Sequence, residues 1–415
     1  MSKNLKYSAK LFFTIIFFTS IFLTSCNTKN EKKTDWTILI YMAADNSLNE
    51  NAIADIEEEM VAANFSDDIN ILVQIDHRND YPVVDYTGAE RYLISSGEKK
   101  IISQIGEIDS GSSEEMASFI DWGTTKYPSE KKALFLWSHG NGWYDSYNKF
   151  CPDNTSQSSI NIPEGELHRS LELSNTHFEI IVFDACNMQT IEVVTEVAEF
   201  TDFVIGSEEA IKSDGFPYDK ILESWEDFNS TESIALNIKE KFIESYKPFG
   251  GSQNEDNSIF KFSCSVAKTE LFSELLTELT TFSNNSLENW TVQEILTART
   301  ECLELNDPEI DIDLYQFFSL LENISSKDYN VVSKIDDIFI SSDYFKPSEN
   351  QYFIEYVENA GYAAIWFPED VNILENLNPV YHNLRFAETN WSGFLEQVLA
   401  RQSRNLATNK TNKTN

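Results

Sequence analysis

The sequence is poor in basic residues, in histidine and in cysteine, and each shortage excludes a class of protein. Its 415 residues hold 31 Lys and Arg against 68 Asp and Glu, a formal net charge of −37, which excludes nucleic-acid binding through phosphate neutralisation. Five His, none at zinc-ligand spacing to another His or to a Cys, argue against a zinc site. Five Cys are too few for a disulfide-rich scaffold. The sequence contains no Gly-x-x-x-x-Gly-Lys run, so nucleotide binding is poorly supported.

The first residues read as an export signal. Three lysines precede an apolar run over 11–23, which is too short for a permanent membrane-spanning helix. The run ends in Leu-Thr-Ser-Cys at 23–26, which resembles the lipobox of bacterial lipoproteins, where the cysteine is acylated. We therefore expect a lipoprotein signal peptide over 1–25 and a chain lipid-anchored through Cys26 to the bacterial cell envelope. An ordinary cleaved signal is the alternative.

The rest of the chain has ample material for a folded core, since 41% of the residues are hydrophobic and 13% aromatic. A polar tether over 26–34 precedes a region, 35–225, in which apolar runs of strand length alternate with helical patterns. This alternation predicts an α/β fold with a mostly parallel sheet and helices on both faces. Residues 226–405 are acidic and largely helical in pattern, and either complete this sheet or flank it. Residues 406–415 form a polar tail, expected to be disordered.

Reactive side chains follow two of the predicted strands. The strand at 133–137 runs into His139, and the strand at 179–183 runs into Cys186. If the two strands are neighbours, both side chains project from the same edge of the sheet. A thiol beside an imidazole is a minimal covalent catalyst, in which sulfur attacks a carbonyl and the imidazole transfers protons. The predicted helix after Cys186 would favour its thiolate through the helix dipole.

Glycines next to the histidine fit acyl-transfer chemistry. Gly140 and Gly142 permit tight backbone curvature, so that an amide N–H, assigned here to Gly140, can point at a developing oxyanion.

The segments around these residues resemble the clostripain family of cysteine peptidases, within the caspase-like clan. The resemblance is carried by WTILIYMAADNSL (36–48), HGNGW (139–143), FDACNM (183–188) and SEEAIKSDGFPYD (207–219), and GYAAIWFP (361–368) also resembles a family segment. It implies a caspase-like fold in which Cys186 is the nucleophile and His139 the general acid and base.

The resemblance further implies an acidic S1 pocket at Asp184 and cleavage of protein or peptide substrates after Arg or Lys. A cationic side chain that enters a pocket loses water, and a fixed carboxylate offsets that loss. Asp214 offers a second wall of the same pocket; an ordinary turn is the alternative for Ser213-Asp214-Gly215.

Calcium and self-cleavage are two further properties that the resemblance raises. The chemistry itself requires no cofactor, and no Asp-x-Asp-x-Asp-Gly loop identifies calcium ligands; Glu309-Ile-Asp-Ile-Asp313 is only weakly suggestive. Self-cleavage between His139 and Cys186 is expected after Lys149, which lies in a polar loop. His77 reads as a solvated loop histidine rather than a third site residue.

The sequence thus predicts an exported, lipid-anchored cysteine endopeptidase specific for Arg or Lys. Two alternatives remain open: a transpeptidase or ligase that uses the same dyad, and a catalytically silent binding protein at the cell surface.

Overall fold

A computed structural model describes residues 33–62, 65–66, 68–79, 86–95, 97–144, 150–305, 310–324 and 330–413. The described residues from 33 onward form one compact unit. The strands of this part of the chain are β1 (Thr34–Ala44), β2 (Ile69–His77), β3 (Gly88–Ser95), β4 (Glu98–Gly106), β5 (Ser129–Trp137), β6 (Phe150–Asp153), β7 (Ser158–Ile160), β8 (Phe178–Asp184), β9 (Thr201–Gly206), β10 (Phe262–Lys268), β11 (Glu304–Leu305), β12 (Asp311–Asp313), β13 (Phe339–Pro347), β14 (Ile354–Tyr356) and β15 (Ala364–Trp366).

Helices connect these strands and cover them. They are α1 (Asn49–Ala62), α2 (Ser113–Lys126), α3 (Glu166–Ser174), α4 (Ile191–Val197), α5 (Tyr218–Glu223), α6 (Thr231–Tyr246), α7 (Phe272–Asn289), α8 (Val292–Glu301), α9 (Leu314–Ile324), α10 (Val331–Ile338), α11 (Val371–Tyr381) and α12 (Trp391–Lys413). No helix in the described part of the chain combines the length and the apolar character needed to cross a bilayer.

Ten strands form one sheet in the order β14-β13-β10-β9-β8-β5-β1-β2-β3-β4. The five central strands, β9 to β2 in this order, pair in parallel, and the strands on both margins pair antiparallel. Relative to β1, only β3, β10 and β14 run in the opposite direction. Seven of the ten strands of this sheet therefore run in the same direction. The mostly parallel sheet predicted from the sequence is confirmed.

The sheet is buried on both faces, which explains why its central strands are continuous apolar runs. In β1, Leu39 and Tyr41 point into the core beneath α2, α3, α4 and the C-terminal helices, whereas Ile38 and Ile40 point into the core beneath α1, α5 and α6. The helices on both faces were expected from the sequence.

Residues beyond 225 contribute strands to the same sheet as well as helices. β10 pairs antiparallel with β9, and β13 and β14 extend that margin. The C-terminal region is largely helical, as the sequence indicates, and its strands continue the sheet that carries the candidate site.

Candidate active site

His139 and Cys186 follow adjacent parallel strands. The last residue of β5, Trp137, lies opposite Asp184 at the end of β8, and the N–H of Ser138 donates to the Asp184 carbonyl at 3.2 Å. His139 therefore leaves the sheet one residue beyond this bond, and Cys186 leaves the neighbouring strand two residues beyond Asp184. From the sequence we expected both side chains at one edge of the sheet only if the two strands were neighbours, and they are.

Both side chains line one cavity of about 230 Å³ at this edge of the sheet. Its walls are partly apolar and partly polar. The residues that line it are Leu48, Trp137, Ser138, His139, Asp184, Cys186, Ile211, Lys212, Ser213 and Gly215. A thiol, an imidazole and a carboxylate thus meet in one concave site, which is the arrangement that covalent acyl transfer to sulfur requires.

Cys186 lies against the backbone of Ile211 and remains a thiol at rest. The Ile211 N–H donates to Sγ at 3.4 Å, and Sγ lies 3.5 Å from the Ile211 carbonyl oxygen. Burial raises the pKa of the Cys186 thiol, and the charge of Asp184 adds to that effect. The expected activation by a helix dipole is wrong, because α4 begins only at Ile191 and its cap is Thr190, well beyond Cys186.

His139 contacts a residue that the sequence did not single out. The hydroxyl of Ser47, just after β1, lies 2.9 Å from Nε2 of His139. Burial lowers the pKa of His139, so the ring is neutral at physiological pH and can accept a proton. Ser47 lies within the WTILIYMAADNSL segment, but no pattern there marks it as a partner of the histidine.

Gly140 lies where the loops that carry the imidazole and the thiol touch. A Cβ at Gly140 would come within 2.7 Å of the Cys186 carbonyl oxygen and 2.9 Å of the Ala185 Cβ. Only glycine allows this close approach of the two backbones. The glycine that the sequence marked is therefore required by packing beside the thiol.

Asp184 is 2% exposed and is held by the chain that closes the cavity from the opposite side. Its Oδ2 accepts bonds from the Tyr218 hydroxyl at 2.8 Å and from the Phe216 N–H at 3.2 Å. Burial raises the pKa of Asp184 to about 6, while these two bonds oppose the rise. The carboxylate is fixed in place and is largely ionised at neutral pH.

Lys212 brings a cation to the cavity wall without neutralising Asp184. Its Nζ donates to Asp256 at 2.6 Å and to Asn254 at 2.9 Å. The ammonium group is thus held by these two partners, and Asp184 keeps its bonds to neutral donors.

Of three further residues predicted from the sequence, the structure describes only Asp214. Asp214 is exposed and does not belong to the residues that line the cavity; its backbone carbonyl accepts a bond from Gln253 at 2.7 Å. Cys26 and Lys149, predicted for lipidation and self-cleavage, lie outside the described residues.

Other titratable residues noted in the sequence have structural partners. His77 is buried at the end of β2, 3.5 Å from Glu90, so its interpretation as a solvated loop histidine is wrong. In the weakly suggestive Glu309–Asp313 run, Asp313 accepts bonds from the N–H groups of Gln316 and Gly361, each at 2.8 Å. The described cysteines are free thiols.

One group of carboxylates could hold a metal ion. Asp45, Asp76 and Asp153 are all buried, and each offers an oxygen within 4.8 Å of the other two. Asp45 follows β1 and Asp76 lies next to the last residue of β2, so both could have been found in the sequence by looking at strand ends, as His139 and Cys186 were. No sequence signal indicated Asp153.

Comparison with known proteins places this chain in a family. The family model described as the clostripain family matches residues 40–397. Clostripain of Hathewaya histolytica is 25% identical over 253 residues, which are 53% of this chain and 48% of that protein. The chain thus spans about half the length of this curated relative.

Solved structures share the fold. A secreted C11 cysteine protease from Bacteroides thetaiotaomicron, solved with an irreversible peptide inhibitor, superposes with a TM-score of 0.67 at 21% identity, over 86% of this chain and 99% of that one. An inactive zymogen C11 protease from Parabacteroides distasonis gives a TM-score of 0.64 at 22% identity, over 86% and 98% of the two chains.

Proposed function

Because the chain belongs to the clostripain family, we propose that it is a cysteine endopeptidase whose catalytic residues are Cys186 and His139. The observation that carries this proposal is the single cavity that holds the thiol, a neutral imidazole and a buried carboxylate. These groups project from the ends of adjacent strands, so their placement depends on the sheet rather than on a mobile loop.

The proposed reaction has two halves. As Sγ of Cys186 attacks the carbonyl carbon of the scissile bond, its proton passes to His139, and the carbonyl oxygen becomes an oxyanion. Collapse of this intermediate breaks the C–N bond, His139 protonates the leaving amine, and a thioester remains. Water then gives a proton to His139 and attacks the thioester, and the proton returns to sulfur as the acid leaves.

The resting protonation state determines how the first half proceeds. Since burial keeps Cys186 as a thiol and His139 as a neutral base, proton transfer accompanies the attack on the substrate. We place the oxyanion beside the N–H of Gly140, which lies directly against the backbone of Cys186.

Asp184 is proposed to bind a basic side chain at P1. It lies two residues before the nucleophile, and the apolar side chains of Leu48, Trp137 and Ile211 line the same cavity. The methylene groups of Arg or Lys can pack on these walls while the cationic end reaches the carboxylate. We therefore propose cleavage after Arg or Lys, with Asp214 contributing from the exposed rim.

Assays of peptides with Arg, Lys, Asn, Asp or Leu at P1 test this function directly. We expect turnover of the Arg and Lys peptides alone, its loss in Cys186→Ala, and a fall of at least ~100-fold in kcat/KM in Asp184→Asn, about 3 kcal/mol. Asp121→Asn is the matched control, because it removes the same charge from an exposed position on α2 that does not line the cavity, and it should leave kcat/KM unchanged.

The outcomes separate the two parts of the proposal. Turnover of Asn or Asp peptides that depends on Cys186 would keep the thiol chemistry and reject the acidic pocket. Arg and Lys turnover that persists in Cys186→Ala would reject the nucleophile.

We also propose export, a lipid anchor at Cys26 and self-cleavage after Lys149. Labelling with a fatty-acid analogue that disappears in Cys26→Ala would support the anchor, and labelling that persists would refute it. Intact-mass measurement of the active protein is expected to show a break between residues 149 and 150. An unbroken chain in fully active protein would contradict self-cleavage as a requirement.

A further inference from the structure

The backbone of His139 is held on both sides, whereas its imidazole ring has a single partner. The N–H of Ser138 donates to the Asp184 carbonyl at 3.2 Å, and the His139 carbonyl accepts a bond from the Cys151 N–H at 3.3 Å. In the part of the chain that the structure describes, the ring makes one hydrogen bond, with the Ser47 hydroxyl 2.9 Å from Nε2. The orientation of the ring in the cavity therefore depends on Ser47.

The turn that carries Ser47 is fixed by the buried side chain of Asn46. Asn46 is 2% exposed, and its Nδ2 donates to the carbonyls of Ala43 at 2.7 Å and of Pro152 at 3.0 Å. Its Oδ1 accepts a bond from the N–H of Leu48 at 2.9 Å. This amide closes the turn and joins it to β1 and β6, so the exposed hydroxyl of Ser47 has a defined position.

The same network reaches the residue before the histidine. The Ser138 hydroxyl donates to the Ala43 carbonyl at 2.7 Å, and it lies 3.4 Å from Nδ2 of Asn46. One carbonyl thus anchors both the turn that carries Ser47 and the start of the loop that carries His139. The contact between the hydroxyl and the ring is therefore built into the fold.

The contact with Ser47 determines which ring nitrogen can act as the base. A neutral imidazole has one N–H and one nitrogen lone pair, so only one of its nitrogens can accept a proton. When Nε2–H donates to the Ser47 hydroxyl, the lone pair lies on Nδ1, which has no hydrogen-bond partner among the described residues. Nδ1 can then take the proton of Cys186. If the hydroxyl donated to Nε2 instead, Nδ1 would already carry the proton and could not act as a base.

The bond to Ser47 becomes stronger as the proton moves. When Nδ1 accepts the proton of the thiol, the ring becomes an imidazolium, and its Nε2–H becomes a charged donor. Hydrogen bonds from charged donors are roughly twice as strong as those from neutral donors. Ser47 therefore stabilises the imidazolium more than it stabilises the resting ring, and such a difference accelerates the reaction without tightening substrate binding.

We propose that Ser47 is a positioning residue for His139: its hydroxyl accepts a bond from Nε2–H, directs Nδ1 toward Cys186 and stabilises the imidazolium. The proton leaves Sγ, binds to Nδ1 and passes to the leaving amine, while Nε2 keeps its own proton throughout. The effect on catalysis rests on the proposed function, whereas the bond between Ser47 and the ring does not.

Steady-state kinetics on a peptide with Arg at P1 test the effect on catalysis. Ser47→Ala should lower kcat by ~10-fold and leave KM nearly unchanged, because the bond strengthens only as the proton moves. Ser47→Thr keeps the hydroxyl and should restore most of kcat. Ser403→Ala is the matched control, since Ser403 is an exposed serine on α12 that does not line the cavity, and it should leave both constants unchanged.

NMR of the protein labelled with 15N in its histidine rings tests the bond without any need for activity. The signals of His139 are identified by their absence in His139→Gln. The neutral ring should carry its proton at Nε2. Because a hydrogen bond to the charged form favours that form, the pKa of His139 should be lower in Ser47→Ala than in the parent, and Ser47→Thr should restore it.

The outcomes distinguish this proposal from the proposed function. Equal kcat in Ser47→Ala and an active parent, or a neutral ring protonated at Nδ1, would overturn the role of Ser47. So would a loss of activity that Ser47→Thr does not restore and that leaves the pKa of His139 unchanged, because Ser47 would then act only through the structure of its turn. If the parent cleaves no peptide, the proposed function fails, and an equal pKa of His139 in the parent and in Ser47→Ala would then refute the bond as well.

Discussion

Burial determines the chemistry of Cys186 and His139 more than any neighbouring charge does. It raises the pKa of the thiol and lowers that of the imidazole, so both groups are neutral at rest. A neutral pair differs from the thiolate–imidazolium pair of strongly activated cysteines, because its nucleophile forms only when the proton moves.

Alkylation of Cys186 by iodoacetamide should reveal this state. Only the thiolate reacts, so the rate should keep rising between pH 7 and pH 9 without a plateau, because burial holds the thiol pKa above its ordinary value of 9.0. Mass spectrometry of the modified peptide measures the rate, and Cys186→Ala provides the blank. A plateau already reached below pH 7 would show an ion pair instead.

Gly215 supports Asp184 through the absence of a side chain. It adopts a φ of +58°, and a Cβ there would lie 2.8 Å from Oδ2 of Asp184. Gly215→Ala should displace the carboxylate and weaken the binding of an amidinium ligand such as benzamidine by at least ~10-fold, about 1.4 kcal/mol. Calorimetry on the Cys186→Ala background measures this affinity.

Gly165→Ala is the control for the Gly215 variant, because Gly165 has a φ of +76° and open space around its missing Cβ. It should lose a similar amount of stability, about 1 kcal/mol, from backbone strain alone. Its affinity for benzamidine should remain that of the parent. Equal affinity in both variants would show that Gly215 matters only for the backbone.

At the scale of elements, the C-terminal strand β15 and helix α11 secure the helix that follows Cys186. The N–H of Trp366 and the hydroxyl of Tyr381 both donate to Oε1 of Glu192 in α4, at 3.1 and 3.0 Å. Glu192 is fully buried, and burial raises its pKa to about 8. The helix after Cys186 is thus attached to a segment more than 170 residues further along the chain.

Glu192→Gln and Glu192→Ala should therefore differ sharply in stability. Glutamine keeps the accepting oxygen and is neutral, as the carboxyl group mostly is at pH 7, so unfolding by urea should change little. Alanine leaves two buried donors without a partner and should lower the free energy of unfolding by about 2–4 kcal/mol. Similar midpoints for the two variants would mean that these bonds contribute nothing.

The sequence predicted those elements whose pattern is strong and local. β5 and β8 are apolar runs that lead into His139 and Cys186. Ser112-Ser-Glu-Glu115 is typical of a capped helix start, and in the structure the N–H of Glu115 donates to the Ser112 side chain at the beginning of α2. β13 went unrecognised because FISSDYFKP mixes polar and apolar residues without a clear period, as expected for a half-buried strand near the margin of a sheet.

The parts of the site that the sequence did not reveal depend on long-range contacts. Ser47 and His139 are 92 positions apart, and Asp153 joins Asp45 and Asp76 only after the sheet has formed. Strand ends could be read from the pattern of apolar residues, but the contacts between side chains of distant segments could not.

At the scale of the whole molecule, the excess of acid extends into the interior. Burial raises the pKa of Glu192 to about 8 and that of Glu196 to about 7, and it raises the pKa of Glu208 as well. In the unfolded chain these groups titrate near 4.5. At any pH between the pKa of such a group in the unfolded chain and its pKa in the folded protein, the folded protein holds more protons than the unfolded chain. The free energy of unfolding therefore falls as the pH rises.

Calorimetric melting in a chelating buffer of constant ionic strength tests this sign. We expect Tm to fall by several degrees between pH 5.5 and pH 8.5. Each proton that the folded protein retains lowers the free energy of unfolding by about 1 kcal/mol per pH unit. Glu192→Gln removes one of these groups and should flatten the dependence. A Tm that rises toward pH 8.5 would contradict the assignment of neutral buried carboxyl groups.

The two-residue spacing between Asp184 and Cys186 has a consequence for engineering a different cleavage preference. Asp184 ends a central strand whose pairing also fixes the path of the chain to Cys186, so the proposed specificity residue cannot be moved without also moving the proposed nucleophile. The facing stretch, 211–217, is not part of the sheet and supplies the opposite wall. Libraries aimed at new substrates should therefore randomise residues 211–213, keep Gly215 and Phe216, and leave residues 182–188 as they are.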